Sequence, residues 1–436
     1  MPAMLNATTQ PQTLQVFLTD PGGILRGKWL PGEAADKVAR DGVAFPYSLF
    51  GCDVFGREVP ETGLHIESGD LDAICRAVEG RLVPVPWADR PTEQAMLTMN
   101  HKDGRPFLGD PRQVLARQVA KLSERGLMAT VALELEFYLL GNDAITGEPQ
   151  PFGTGARGPD QQDMYALHDM ERHRPLLDAI QAACEVQNLP MSAMVSEASP
   201  GQMEVNLNHR DPLGAADDAV MLKRLVSEVA RTQGTPITFM AKPFAGFPGN
   251  GMHIHVSLQD RDGSVFARQP EQLHHAVQGT LTTMLESQLG FIGSYNGFRR
   301  MQPGSYAPAS LTWGENNRSV AIRLPEAKPE ARRLEHRLAG ADANPYIATA
   351  LVLAAMMKGM DEAAEPPETT TGNAYTDPDV ERLPARMDDA IDHFSQSAFV
   401  ADALSPEFVA IYTAIKRTEW QAFAGQISEL EHRAYL

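Results

Sequence analysis

Glutamates gather at one short reversal of the chain, Glu197-Ala198-Ser199-Pro200-Gly201-Gln202-Met203-Glu204. Pro-Gly at its centre is turn chemistry, because proline presets φ and glycine accepts φ > 0. A reversal centred there pairs Ser199 with Gln202, Ala198 with Met203 and Glu197 with Glu204. Carboxylates directly opposite each other on a sheet repel, so the pattern calls for a cation between them. Residues 131–139 alternate strictly: Val131, Leu133, Leu135, Phe137 and Leu139 share one face, and Glu134 and Glu136 project together from the other. The segment Met252-His253-Ile254-His255-Val256-Ser257-Leu258 repeats the device with His253, His255 and Ser257 on its polar face. Carboxylates with an occasional imidazole suit Mg²⁺ or Mn²⁺ rather than softer metals. One such strand is ordinarily a half-solvated one; three in a chain point to a polynuclear metal site.

Positive charge is concentrated elsewhere. Arg299, Arg300, Arg318, Arg323, Arg332, Arg333 and Arg337 crowd one stretch of a chain whose net charge is −18. Arginine recognises carboxylates and phosphates in bidentate fashion. Arg299 and Arg332 read as solvated; the apolar neighbours of the others predict partial burial and therefore an anionic partner. Metals beside arginines indicate chemistry on phosphates and carboxylates.

The elements that must position these groups belong to an α+β protein. The 436 residues, 43% hydrophobic and 22% charged, have ordinary globular composition. The acidic balance argues against nucleic-acid or anionic-membrane partners. Cys52, Cys75 and Cys184 are too few and too scattered for a disulfide framework or a zinc site. The first residues lack a basic and then apolar leader, and the longest apolar run, residues 347–357, is short of a membrane span. A cytoplasmic protein is expected. Strands are predicted at 14–18, 24–30, 73–76 and 82–84, with a helix near 31–40. Further helices are predicted near 111–125, 174–187, 214–233, 272–289 and 344–360. Residues 145–163 and 365–384 read as long loops. Gly22-Gly23-Ile24-Leu25-Arg26-Gly27-Lys28 fits a phosphate-loop spacing, but Trp29 stands where Ser or Thr would hold Mg²⁺. A hairpin at Asp20-Pro21-Gly22-Gly23 explains those glycines better.

Taken in order, these motifs resemble the glutamine synthetases. The match rests on Glu134-Leu-Glu136-Phe, Glu197-Ala-Ser-Pro-Gly-Gln-Met-Glu204, Lys242-Pro-Phe and Gly251-Met-His253-Ile-His255-Val-Ser257. It continues through Asn317-Arg318-Ser-Val-Ala-Ile-Arg323 and Arg332-Arg-Leu-Glu335-His-Arg337 to Ala343-Asn-Pro-Tyr346. The resemblance implies a small β-grasp-like domain over 1–105 and a catalytic domain over 106–436, its antiparallel sheet flanked by helices. It implies ATP and Mg²⁺ (or Mn²⁺) as cofactors, with one metal held by Glu136, Glu197 and Glu204 and another by Glu134, His253 and Glu335. His255, Ser257, Arg323 and Arg333 resemble ATP-binding positions. Gly249, Arg300 and Arg337 resemble those that bind L-glutamate, and Arg318 resembles the arginine beside the phosphoryl group and γ-carboxylate. The family phosphorylates the γ-carboxylate and then lets an amine displace phosphate. It also assembles homo-oligomeric rings, hexameric or dodecameric, with active sites between subunits.

The departures cluster on the ammonium side. The family's amino-terminal Asp aligns with Pro46 in Phe45-Pro46-Tyr47-Ser48-Leu49, and its flap Glu aligns with Tyr306 in Pro303-Gly304-Ser305-Tyr306-Ala307-Pro308. The glycine-rich approach to the histidines becomes Pro248-Gly249-Asn250-Gly251, and no counterpart of the adenylylated tyrosine is expected in the 372–384 loop. Ammonium needs anionic acceptors, whereas an organic amine brings carbon that needs apolar walls. Pro46, Tyr47, Asp53 and Tyr306 are the candidate amine pocket, with Phe50 and Phe55 as further aromatic walls unless they serve the core. Tyr306 and Asp53 are candidate bases. The reading is a γ-glutamyl-amine ligase. The rivals are a glutamine synthetase with a rearranged ammonium site, a non-catalytic regulator, and a kinase that stops at phosphoryl transfer.

Overall fold

The amino-terminal hairpins build the smaller of two sheets in the computed structural model, which describes residues 10–142, 147–152 and 164–436. Strands β1 (Thr13–Thr19), β2 (Leu25–Pro31), β3 (Val43–Pro46), β4 (Asp72–Pro84) and β5 (Thr92–Asn100) lie in the order β2-β1-β5-β4-β3. β1 runs parallel to β5, and the other pairs are antiparallel. β1 is buried on both faces: Leu14, Val16 and Leu18 enter the core of this sheet, while Phe17 joins the larger core. The β1–β2 turn is the expected hairpin. Gly23 donates to the Asp20 carbonyl at φ +83°, and Lys28 lies inside β2, so no phosphate loop forms. The segments predicted at 73–76 and 82–84 are one strand, β4, interrupted by a register shift between Ala77 and Leu82. β5 carries no clean alternation because four consecutive residues, Gln94 to Leu97, are buried, which hides a strand from any period-two reading.

The larger sheet has ten strands: β6 (Met128–Asn142), β7 (Pro149–Pro151), β8 (Met191–Ser196), β9 (Gln202–Leu207), β10 (Ile237–Thr238), β11 (Met252–Asp260), β12 (Gly263–Ser264), β13 (Trp313–Glu315), β14 (Ile322–Leu324) and β15 (Leu334–His336). Its main path is β13-β14-β15-β11-β6-β9-β8, antiparallel except for the β13–β14 pair. Val131, Leu133, Leu135, Phe137, Leu139, Met252, Ile254 and Val256 are all fully buried on one face. Helices Pro111–Glu124 and Pro212–Thr232 pack on β6, and helix Pro345–Glu362 packs on both of them. These three start on Asp110, Asp211 and Asn344, whose side chains cap the first turn just ahead of a proline. The loop predicted at 145–163 falls mostly outside the described residues; residues 365–384 form no helix or strand. The carboxy-terminal helices, Met387–Gln396, Ala398–Leu404 and Pro406–Ala424, escaped prediction. The last drives Ile411 and Ile415 into the core of the small sheet.

A buried ionic knot joins the smaller sheet to the helices stacked on the larger one. Asp217 receives a bidentate hydrogen bond from Arg112 and another from the Tyr346 hydroxyl, while Arg81 of β4 bridges Asp217 and Asp218. Among the described residues no single helix is long and apolar enough to cross a membrane; the run 347–357 is a buried core helix.

Candidate active site

The polar face of the larger sheet collects the glutamates by register. Across β9, β6 and β11, Glu204 stands opposite Glu136, and Asn206, Glu134 and His253 form the next row. One row further, His255 faces Glu335 of β15, which in turn faces Arg323 of β14. The hairpin register differs from expectation. Ser196 pairs with Met203 and the Glu197 N–H donates to the Gln202 carbonyl, so Glu197 lies beside Gln202 rather than Glu204. The predicted turn is there, with Gln202 N–H on the Ser199 carbonyl and Gly201 at φ +67°. That φ at the third position does not match the twist of a two-residue hairpin, so the loop widens. The displacement is two residues, an even number, and each glutamate keeps its face.

Glu134 is the hub. Its carboxylate lies 3.2 Å from His253 Nδ1 and 3.0 Å from His255 Nε2. Donor atoms converge in two triplets, Glu134–His255–Glu335 and Glu134–Glu204–His253, each within 4.8 Å. These cut across the expected partition: His255 stands among the carboxylates, while Glu136 and Glu197 belong to neither triplet. Burial opposes ionisation of Glu134, but the imidazoles of His253 and His255 beside it hold its carboxyl far below the usual range. Burial, then the neighbouring glutamates Glu134, Glu136 and Glu197, pushes Glu204 up to about 9. Burial and Glu136 push Glu197 up to about 7. Glu335 shows the opposite balance: burial is outweighed by Arg337, His255, His253 and Arg323, and its pKa falls to about 2. His255 Nε2 is buried without a well-aligned hydrogen bond although a carboxylate oxygen is 3.0 Å away. Crowded carboxylates with an imidazole nitrogen turned among them fit a hard divalent cation.

The arginines divide by burial. Arg300, 3% exposed, donates to the Leu338 carbonyl at 2.7 Å, and its Nε is unpartnered. Arg337 pairs with Glu335, and Arg323 reaches the other oxygen of that carboxylate at 2.6 Å and Asn316 at 2.8 Å. The Nε atoms of Arg323 and Arg337 are also unpartnered. Gly249 packs so closely that an added Cβ would lie 2.7 Å from the Ala241 carbonyl and 2.7 Å from Arg300 Cγ. Arg333 donates to His255 Nδ1 at 3.2 Å, and Ser257 follows on the same face, half-buried. Arg318 corrects an expectation. It is exposed, because residues 318–320 are a turn and the strand begins only at Ile322; its charge nonetheless lowers the Glu197 pKa.

Of the amine-pocket candidates, Tyr306 lies on the flap, 52% exposed and at φ +53°. The amino-terminal ones are held elsewhere. Pro46 ends β3, Tyr47 hydrogen-bonds His101 at 2.7 Å, and the Asp53 carboxylate is engaged by Arg57 and the backbone of its own turn. Phe50 is core, packed edge-on against Phe107, and Phe55 rests on Phe423.

Sequence reasoning passed over several groups. Gln202 donates to the Gly249 carbonyl and to Asn250 Oδ1, both at 3.1 Å, and Asn250 ties back to the Thr238 and Met240 carbonyls. Asn206 reaches Glu134 at 3.4 Å. Their signal was strand parity, since Gln202 and Asn206 flank Glu204 at i±2. Tyr375, in the 372–384 loop, meets the ring of Tyr306 on the flap edge-on.

Residues 108–435 match the family model described as glutamine synthetase, catalytic domain. The chain is 37% identical over 430 residues to the γ-glutamylputrescine synthetase of Escherichia coli K12, covering 96% of this chain and 90% of that one. It is 32% identical to a γ-glutamylethanolamide synthetase of Streptomyces coelicolor, covering 84% and 79%. The solved structure of GmaS with ADP superposes with a TM-score of 0.84 at 25% identity, covering 98% and 97%.

Proposed function

The chain belongs to the glutamine synthetase family and is an ATP-dependent ligase that forms a γ-glutamyl C–N bond; from that premise we propose that its acyl acceptor is an organic amine rather than ammonium. The observation that carries this reading is Tyr306, an aromatic ring on the flap where an ammonium site needs a carboxylate. The relatives named for putrescine and ethanolamine support it, since both amines carry carbon chains that water solvates poorly.

The reaction proceeds through γ-glutamyl phosphate. A γ-carboxylate oxygen of L-glutamate attacks the terminal phosphorus of ATP and ADP leaves; the amine nitrogen then attacks the carbonyl carbon, phosphate leaves and the nitrogen sheds a proton. Glu134, Glu136, Glu197, Glu204, His253 and Glu335 would hold Mg²⁺ or Mn²⁺, which neutralises charge on the transferring phosphoryl group. Arg300 and Arg337 would grip the α-carboxylate, the Nε of each being without a partner in the protein, and Gly249 would give the substrate close access to backbone. Arg318, on its exposed turn, meets the phosphoryl group and γ-carboxylate. Ser257, Arg323 and Arg333 face the nucleotide, with His255 shared between it and the metals. Fixed positive charge aimed where negative charge develops is the main catalytic contribution.

The proposal extends to assembly. Pro46, Tyr47 and Asp53 complete an amine pocket only if the amino-terminal unit, residues 1–105, closes the site of a neighbouring subunit's catalytic unit, residues 106–436. Ring-shaped homo-oligomers provide that contact, and the expected compartment is the cytoplasm. The test is isotope transfer. With ¹⁸O in the γ-carboxylate, one labelled oxygen should appear in phosphate for each amide formed with an organic amine. Amide without label transfer would exclude the acyl phosphate.

A further inference from the structure

The flap that carries Tyr306 has few ties to the site below it. Pro303 and Gly304 turn the chain with Gly304 at φ +79°, and the Ser305 carbonyl accepts from the Gly249 N–H at 2.9 Å. Tyr306 then sits in the left-handed region, which disfavours a residue with a Cβ, and its side chain is half-exposed. A strained, solvent-facing peptide stays in place only if something holds it.

Tyr375 holds it. Its hydroxyl lies 3.2 Å from the carbonyl of Tyr306 and 3.2 Å from that of Arg318, and its ring meets Tyr306 edge-on at 6.3 Å between centroids. Burial raises the pKa of the same phenol, and the charges of Arg337 and Arg300 beside it offset part of that rise. A phenol has one proton to give, so this hydroxyl shares it between the two peptide carbonyls or donates to one at a time. The loop behind it is anchored. Asn317 donates to the Thr370 and Gly372 carbonyls at 3.1 and 2.9 Å, the Ala374 N–H donates to Ser319 Oγ at 2.9 Å, and Arg382 donates to the Tyr375 carbonyl at 3.1 Å. Three separate segments therefore converge on a single hydroxyl: the flap, the turn of Arg318 and the 365–384 loop.

We infer that Tyr375 is a latch: it keeps the flap closed over the acyl phosphate so that the amine, and not water, takes the acyl group. The inference rests on the ligase reading. Attack by water on the γ-carbonyl breaks the same C–O bond as attack by the amine, and it returns glutamate and phosphate with ATP spent. A flap tied down at Tyr306 and Arg318 excludes that water during the interval between phosphorylation and amine attack. Tyr375 acts through the flap, so it is a positioning residue.

The test is the ratio of ADP to γ-glutamyl amide with ATP, Mg²⁺, L-glutamate and an accepted amine. The wild-type enzyme should form close to one ADP per amide. Tyr375→Phe keeps the ring and loses the hydroxyl, and should raise the share of ATP lost to water by about fivefold, the weight of one hydrogen bond on the open–closed balance. Ser319→Ala, which loosens the loop while keeping the phenol, should uncouple to a smaller extent. A purely structural role would slow both products together at constant ratio. Equal ADP and amide in both variants overturns the latch. An absence of amide from the wild-type enzyme would count instead against the ligase reading itself.

Discussion

Loading the carboxylate face with a divalent cation should release protons, and the number can be worked from the site. At pH 7 Glu204, pushed up to about 9, is almost fully protonated, and Glu197, pushed up to about 7, is about half protonated. Binding a cation to both therefore expels about 1.5 protons. Between pH 7 and 9 the apparent affinity should rise about tenfold per pH unit, because Glu204 gives up one proton per ion bound. The metal-free protein should behave in the complementary way. Both folded-state pKa values lie above the ordinary 4.5 of an unfolded glutamate. Their contribution to stability is thus fully present below about 4.5 and is lost as pH rises through 7 and then 9. A bound cation should restore it. Calorimetric titration with Mn²⁺ at pH 7, repeated in buffers of different ionisation enthalpy, counts the protons directly. In Glu204→Gln the release should drop to about half a proton. An affinity flat from pH 7 to 9, with no protons released, would refute the assignment of Glu204 and Glu197 as ligands.

Other consequences follow from single residues. Asp217→Ala strips the partner from Arg112, Arg81 and Tyr346 in the buried knot, and should cost about 3–5 kcal/mol in denaturant unfolding. Gly249→Ala forces a methyl group against the Ala241 carbonyl and Arg300; the KM for glutamate should rise at least tenfold while ADP affinity changes little. Tyr306→Glu, which puts a carboxylate on the flap, should raise turnover with ammonium relative to the organic amine. An unchanged ratio would remove Tyr306 from the specificity argument.

Much of the site was legible because its strands are two-faced. In β6 Leu133, Leu135 and Phe137 alternate with Glu134 and Glu136, and in β11 Met252, Ile254 and Val256 alternate with His253 and His255, so period two in residue type marked both core and chemistry at once. The same logic failed in β5, where burial on both faces leaves no alternation. It also missed the hairpin register, since turn residues announce a reversal without stating how many residues the loop takes up. Arg318 was misjudged because apolar neighbours in sequence, Val320 to Ile322, are buried beyond the turn that exposes it. Tyr375 had no local pattern to declare it. Its place is set by contacts between a long loop, a turn and the flap, which only the folded chain brings together.

Steady-state turnover across amines tests the central claim most directly. The measurement compares kcat/KM for ammonium with values for methylamine, ethanolamine, putrescine and an aromatic amine at saturating ATP, Mg²⁺ and L-glutamate, with the amide identified by mass. The predicted result is strong amide formation with one class of organic amine and little with ammonium. Turnover highest with ammonium would contradict the account and make the enzyme a glutamine synthetase with a rearranged site.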